Sequence, residues 1–225
     1  MKKYLNKILD LRFFILECVN ILRLGSNAPR NCELIWVNPN ICNYAVNNCA
    51  EKLSDMGATI KDGDWDKDLI SVNECPNVSF TNLRFLNGIP WDQTGSMEYT
   101  MDYLKKYGTF SNISTKEDVI SRHKNLDKIF SQVRQERKLK PRYQIDKQCF
   151  RETDGIKIHI DRDCKPVFGR AGEHRFSMAR ILNLQIIPAQ VGVIHPKALH
   201  NWRKIFQAQN PPSIFDYIDH ILKKI

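Results

Sequence analysis

Apolar and polar positions alternate most cleanly at Ile156, Ile158 and Ile160, with Lys157 and His159 between them. That is the period of a half-buried strand. Asp161-Arg-Asp-Cys-Lys165 is short and polar enough to reverse the chain, after which a second strand runs to Phe168. Gly169-Arg-Ala-Gly172 then lets the backbone turn tightly into a helix that continues through Ser177-Met-Ala-Arg-Ile-Leu182, with Asn183 placed to cap it. A last strand ends at His195-Pro196.

Upstream the spacing is mostly helical. Residues 3–23 carry Leu5, Ile8, Leu9, Phe13, Leu16 and Ile21, more than one narrow stripe, which predicts a helix packed on the main body and stopped by Gly25-Ser-Asn-Ala-Pro29. Glu33–Val37 reads as a short strand, residues 61–64 as a turn, and residues 79–86 and 96–107 as helices followed by Gly88 and Gly108. Ser114-Thr-Lys-Glu117 is a capping box, and Val119, His123, Leu126, Phe130 and Val133 then recur at helical spacing. Near the end, Pro211-Pro212 is a hinge before an amphipathic docking helix with Ile214, Phe215, Ile218, Ile221 and Leu222. The expectation is an α+β fold, a small mixed sheet with helices and a helical N-terminal extension. It divides into a mostly helical region 1–148, a core 149–195 and C-terminal helices 196–225.

With 225 residues, 42% of them hydrophobic, the chain can bury a sizeable core. Lys and Arg outnumber Asp and Glu by 34 to 25, a net charge of +9 that favours anionic partners, nucleotide or nucleic acid. Seven cysteines with no Cys-x-x-Cys pair argue against a disulfide frame or zinc knuckle and for free thiols in a reducing, cytoplasmic setting. No stretch approaches the roughly 20 apolar residues of a membrane span, and Asp10 and Arg12 interrupt any signal-peptide core.

The turn Gly172-Glu-His-Arg175 is the candidate phosphate site: free N–H groups and the positive end of a helix dipole, with the side chains of Glu173, His174 and Arg175 beside them. Arg175 offers a planar fork of donors that suits phosphate, against the alternative of an ordinary salt bridge. His174 reads as a phosphate donor, an acid or base near neutral pH, or a satisfied core histidine. Glu173 complements the dipole or, where the ligand brings Mg²⁺, takes part in holding the metal or acts as a base. Glu152 and Asp154, entering the strand, are the carboxylates best placed to act as base or to meet Mg²⁺, while Asp161 and Asp163 read as turn formers. No metal-ligand set is assigned. Asp62, Asp64, Asp66 and Asp68 alternate around Trp65 but lack the glutamate an EF-hand needs at its twelfth position. The connector after residue 133 carries Arg137, Lys138, Lys140 and Arg142 beside Tyr143: a solvated linker, or a track for a polyanion with an aromatic ring to stack on a base.

Gly172-Glu-His-Arg-Phe-Ser-Met-Ala-Arg-Ile-Leu-Asn-Leu-Gln-Ile-Ile-Pro-Ala-Gln-Val191 resembles the core signature of the ParB/sulfiredoxin superfamily, a Gly-x-[His/Arg]-Arg turn opening a helix, followed by an Ile-Pro strand. The likeness covers about residues 150–195. With Gly63-Asp-Trp-Asp66, Asn87–Thr94 and His195 added, the chain is most similar to an uncharacterised ParB-like group of phages, archaea and polysaccharide gene neighbourhoods. The resemblance implies nucleotide binding at this turn, with ATP, ADP or CTP and Mg²⁺ as cofactors, and phosphoryl transfer or hydrolysis as the activity. It also suggests that Gly63–Asp66, with Trp91 and Asp92, lines or braces the same pocket. Glu173 stands where sulfiredoxin has its cysteine, which argues against thiol chemistry, and about thirty residues follow Ile194, without the helix-turn-helix that ParB carries there. The same superfamily includes a free serine kinase that uses ADP and draws its base from an upstream glutamate, a part that the resemblance gives to Glu152. The leading expectation is a kinase or NTPase; the alternatives are a nucleic-acid-binding protein or nuclease of ParB-like type, and a non-catalytic scaffold.

Overall fold

A computed structural model describes residues 15, 17–47, 58–108, 113–145 and 151–209. The docking helix expected beyond Pro211-Pro212 and most of the helix expected over 3–23 lie outside the described residues; residues 17–24 are helical (α1). The architecture is α+β, with one mixed sheet and helices. Its strands are β1 (Leu34–Val37), β2 (Tyr44–Val46), β3 (Thr59–Ile60), β4 (Leu69–Ser71), β5 (Lys157–Ile160), β6 (Pro166–Phe168) and β7 (Ile187–Ile194). They lie in the order β1-β7-β5-β6-β2-β4, with β3 beside the far end of β7. The boundary expected at residue 148 does not divide this sheet, because β1 to β4 all come from residues 34–71.

β5 and β6 form the expected antiparallel hairpin. Its turn is closed by Asp161, whose Oδ1 accepts from the amides of Asp163 (2.9 Å) and Lys165 (2.7 Å). β7, the longest strand, runs parallel to β5 and antiparallel to β1. Pro188 is tolerated there because it lies before the β5 pairing begins at Gln190, so β7 has a ladder neighbour on one side only at that point.

Helices α2 (Pro76–Phe85), α3 (Ser96–Tyr107), α4 (Lys116–Glu136), α5 (Arg142–Ile145), α6 (Glu173–Ile181) and α7 (Trp202–Ile205) complete the fold. The α4 cap sits one residue later than the spacing predicts: Thr115 caps the amide of Asp118, and the Asp118 carboxylate reaches back to Thr115. Asp is short enough to close this box without the glutamate that the motif favours. Gly108 ends α3 with a left-handed φ of 80°, as read from the sequence.

The principal core lies on the α6 side of the sheet. Ile156, Ile158, Ile160 and Phe168 pack there with Phe176 and Ala179 of α6, Val78 of α2 and Val133 of α4, and Phe168 stacks on Phe176 at 4.1 Å between centroids. The opposite face carries a smaller cluster of Val46, Trp65, Val167 and Val193. At the C-terminal end Trp202 is fully buried, and Arg203 pairs with the fully buried Glu33 while donating to Ala28 O at 2.6 Å. The described cysteines 18, 32, 42, 75 and 164 are free thiols. Among the described residues no helix is long and apolar enough to cross a membrane.

Candidate functional site

The loop that joins β6 to α6 is held against β5 by two backbone bonds, Gly169 N–H to Lys157 O (2.9 Å) and Lys157 N–H to Ala171 O (3.2 Å). Gly172 caps the helix in the left-handed region (φ 73°), and a β-carbon there would stand 3.0 Å from Ile156 Cα. A β-carbon on Gly169 would meet His159 Nε2 at 2.8 Å. Both glycines are therefore required by close packing of the loop on the sheet.

Each side chain of the first turn of α6 has a protein partner. Glu173 accepts from Asn77 Nδ2 of α2 (2.8 Å) and from Arg170 Nε (3.3 Å). His174 is buried, with Nδ1 2.8 Å from Thr81 Oγ1 of α2. The Thr81 hydroxyl gives its single hydrogen to Asn77 O at 2.5 Å, so it must accept from His174, which fixes the Nδ1–H tautomer and leaves Nε2 as an acceptor. Burial, with the charge of Arg122 added, lowers the His174 pKa to about 3. A neutral imidazole in this tautomer has no further donor for phosphate, and with its pKa so low it is a weak base at neutral pH.

Arg175 faces the other way. Its guanidinium is 4.0 Å from Glu152 Oε1, and burial lowers its pKa. Glu152 is 1% exposed; its Oε2 accepts the amide of Arg142 at 2.7 Å, and Oε1 has no hydrogen-bond partner. Desolvation raises the Glu152 pKa, opposed by that amide and by Arg175. Asp154 is exposed with a left-handed φ of 55°, near enough to Arg175 for its charge to act on it. The structure thus gathers Glu152, Arg175 and Arg142, while among the described residues no bond or ion pair joins Glu152 to His174.

The rim of the turn has a different composition. Arg170, itself in the left-handed region (φ 59°), lies beside Glu173, and both charges act on the Tyr99 phenol, whose pKa burial raises. Tyr99 packs on Phe80 at 5.6 Å between centroids. Arg170, Asn77, Thr81 and Tyr99 come from three separate segments, and no sequence spacing connects them. The glycine loop was the available clue to Arg170; nothing in the sequence singles out Tyr99.

The two tryptophan motifs serve opposite faces of the sheet. Trp91 stacks on His123 (4.5 Å), meets His174 edge-on (6.1 Å) and donates to Asp127. Trp65 meets His159 edge-on (5.9 Å) on the far side. The acidic loop around it is closed by Arg162, which bonds Asp64 and Asp66 and holds the Asp66 pKa at about 2. In the connector, Arg137 and Lys138 are exposed, Lys140 pairs with Glu136 (2.9 Å), Arg142 opens α5 and Tyr143 is exposed. Leu139 and Pro141 are buried between them, so the segment is anchored to the body. Among the described residues no group of three His, Cys, Asp or Glu side chains is placed to hold a metal ion.

Compared with known proteins, the chain matches no family model, no curated protein and no solved structure.

Proposed function

We propose that this protein binds a nucleotide at the β6–α6 turn, in the service of Mg²⁺-dependent phosphoryl transfer or hydrolysis. The observation that carries the reading is the convergence, at one helix start, of unpaired amides, a cation and an aromatic ring. The amides of Glu173, His174 and Arg175 donate to no acceptor among the described residues, Arg170 stands on the rim, and Tyr99 with Phe80 lies beside it. Phosphate would take the amides and Arg170, and the base would lie against Tyr99. The motif's likeness to ParB/sulfiredoxin proteins supports the same assignment.

Each residue has a defined part. Arg170 exchanges its bond to Glu173 for one to phosphate, while Asn77 keeps its hold on the Glu173 carboxylate. His174, neutral at physiological pH and bonded to Thr81, holds the first turn of α6 against α2. Glu152 and Arg175 brace the turn from behind. Bound Mg²⁺ would supply charge neutralisation between the phosphate oxygens and its own water ligands.

Titration calorimetry with ATP, ADP and CTP, with and without Mg²⁺, tests the reading. Arg170→Ala should weaken binding by about 1.5–3 kcal/mol through loss of a charge-assisted bond. Tyr99→Leu should cost about 1–3 kcal/mol of stacking. Affinity unchanged in both variants, or no nucleotide binding by the wild-type protein, would overturn it.

A further inference from the structure

A cleft of about 540 Å³ opens along one flank of α4, lined by Ser121, Arg122, Lys124, Asn125 and Lys128 with Ile113 opposite. Three of the six lining residues are cations, two are neutral hydrogen-bonding groups, and none is a carboxylate. It shares no residue with the β6–α6 turn. Lys124 and Lys128 stand one helical turn apart, where like charges repel, and among the described residues neither has an ion-pair partner. Three of the four acids of α4 are engaged elsewhere, Asp127 with Arg84 and Trp91, Asp118 with the helix cap and Glu136 with Lys140; the fourth, Glu117, is exposed in the first turn and does not line the cleft.

We propose that this cleft is a second anion site, which takes a small molecule carrying two or more phosphates. Its volume lies within the range of small-molecule sites, roughly 300–1,000 Å³. Arg122 and the two lysines supply the charge, Ser121 and Asn125 the neutral hydrogen bonds, and Ile113 an apolar wall. Lys124 and Lys128, exposed on one face of α4, are the anchors, and the half-buried Arg122 adds its charge from the cleft wall. Its charge is also felt at His123, on the buried face of α4, and at His174 in the first turn of α6. A bound polyphosphate would offset that charge and ease protonation of both histidines, which links the cleft to the turn without shared contacts. The proposal stands whether or not the turn itself binds nucleotide.

Inorganic triphosphate is the probe, titrated into the full chain by calorimetry at two salt concentrations. The wild-type protein should bind it, more weakly at the higher salt. Lys124→Glu combined with Lys128→Glu should lower affinity by roughly tenfold or more. Both lysines are exposed, so the fold should survive; Lys124→Gln with Lys128→Gln provides a milder second variant, and thermal melts verify both. Repeated in an Arg170→Ala background, which weakens any binding at the turn, the lysine substitutions should still remove triphosphate binding, and this separates the cleft from the turn. The proposal falls if the wild-type protein does not bind triphosphate, or if both lysine variants bind it as tightly as wild type. Binding of a short oligothymidylate through these lysines, with none of triphosphate, would assign the cleft to a nucleic-acid strand and equally overturn it.

Discussion

His159 Nδ1 accepts the amide hydrogen of Val193 at 2.7 Å, and this one bond satisfies an irregularity in the central strand. The β5–β7 pairing advances by two residues on β5, from Ile158 to Ile160, and by three on β7, from Val191 to Ile194. The extra residue makes a bulge, which turns Val193 to the Trp65 face while Val191 and Ile194 stay in the main core. A bulge leaves a ladder amide without a strand partner, and the imidazole takes that place. Gly192 lies directly against the ring: a β-carbon there would stand 2.2 Å from Nδ1.

Gly192→Ala should therefore destabilise the protein by about 1–3 kcal/mol or more, because the ring it would strike is fully buried. His159→Leu keeps much of the volume but orphans the Val193 amide, at a cost of about 1–3 kcal/mol. Urea denaturation measures both. If the double variant loses the sum of the two single effects, the clash with the imidazole is not the source of the Gly192→Ala loss.

Burial holds the pKa of His159 and of His174 at about 3, against 6.5 for the unperturbed side chain. Between those values the unfolded chain binds up to two more protons than the folded one. Stability is fully present above about pH 6.5 and falls as the pH drops toward 3, by about 1.4 kcal/mol per pH unit for each histidine. Glu33 and Glu152, whose pKa values burial raises, work in the opposite sense from their unfolded value of 4.5 upward. The His159→Leu variant isolates the histidine contribution, since its stability should vary less with pH by one proton's share. An identical pH slope in variant and wild type would refute the assignment.

The hydrogen-bond chain from Asn77 O through Thr81 to His174 makes Nδ1 the protonated nitrogen. Long-range proton–nitrogen NMR should show that tautomer at neutral pH. Thr81→Val should leave Nδ1–H without its acceptor, lower stability by about 1–2 kcal/mol and shift the population toward Nε2–H. A spectrum dominated by Nε2–H in the wild-type protein would overturn this hydrogen-bond assignment.

Glu152→Gln should preserve shape while removing the charge opposite Arg175, and should cost about 1–3 kcal/mol of stability with nucleotide affinity unchanged. Glu152→Ala, which also abandons the Arg142 amide, should cost more, about 3–5 kcal/mol. Thermal melts run beside turnover assays distinguish a brace from a base. Full stability with turnover down by about 10² to 10⁴ would make Glu152 the base instead.

The hairpin, the glycine turn, α6 and the helix through Val119 and Val133 were legible because each repeats a period or carries a cap within a few residues. β2, β3 and β4 were not: they have three, two and three residues, too few to show any period, and are strands only because β6, β7 and β2 already offer edges. At the site the sequence located the turn but not its surroundings. That Arg175 would meet Glu152, and that Thr81 would receive the proton of His174, depend on how α2 and the segment before β5 pack around α6. Single-sequence spacing carries no information on such contacts.

Strand β1 finds its ladder partner only in residues 187–190, and Trp36 and Leu34 complete their backbone bonding with Phe206 and Gln209. Roughly 150 residues separate the two halves of this pairing, so it is among the highest contact-order features of the molecule and should form late. Until β7 emerges during synthesis, the Leu-Ile-Trp-Val segment of β1 stays an unsatisfied, sticky edge, and the window for misassociation closes only when Arg203 reaches Glu33.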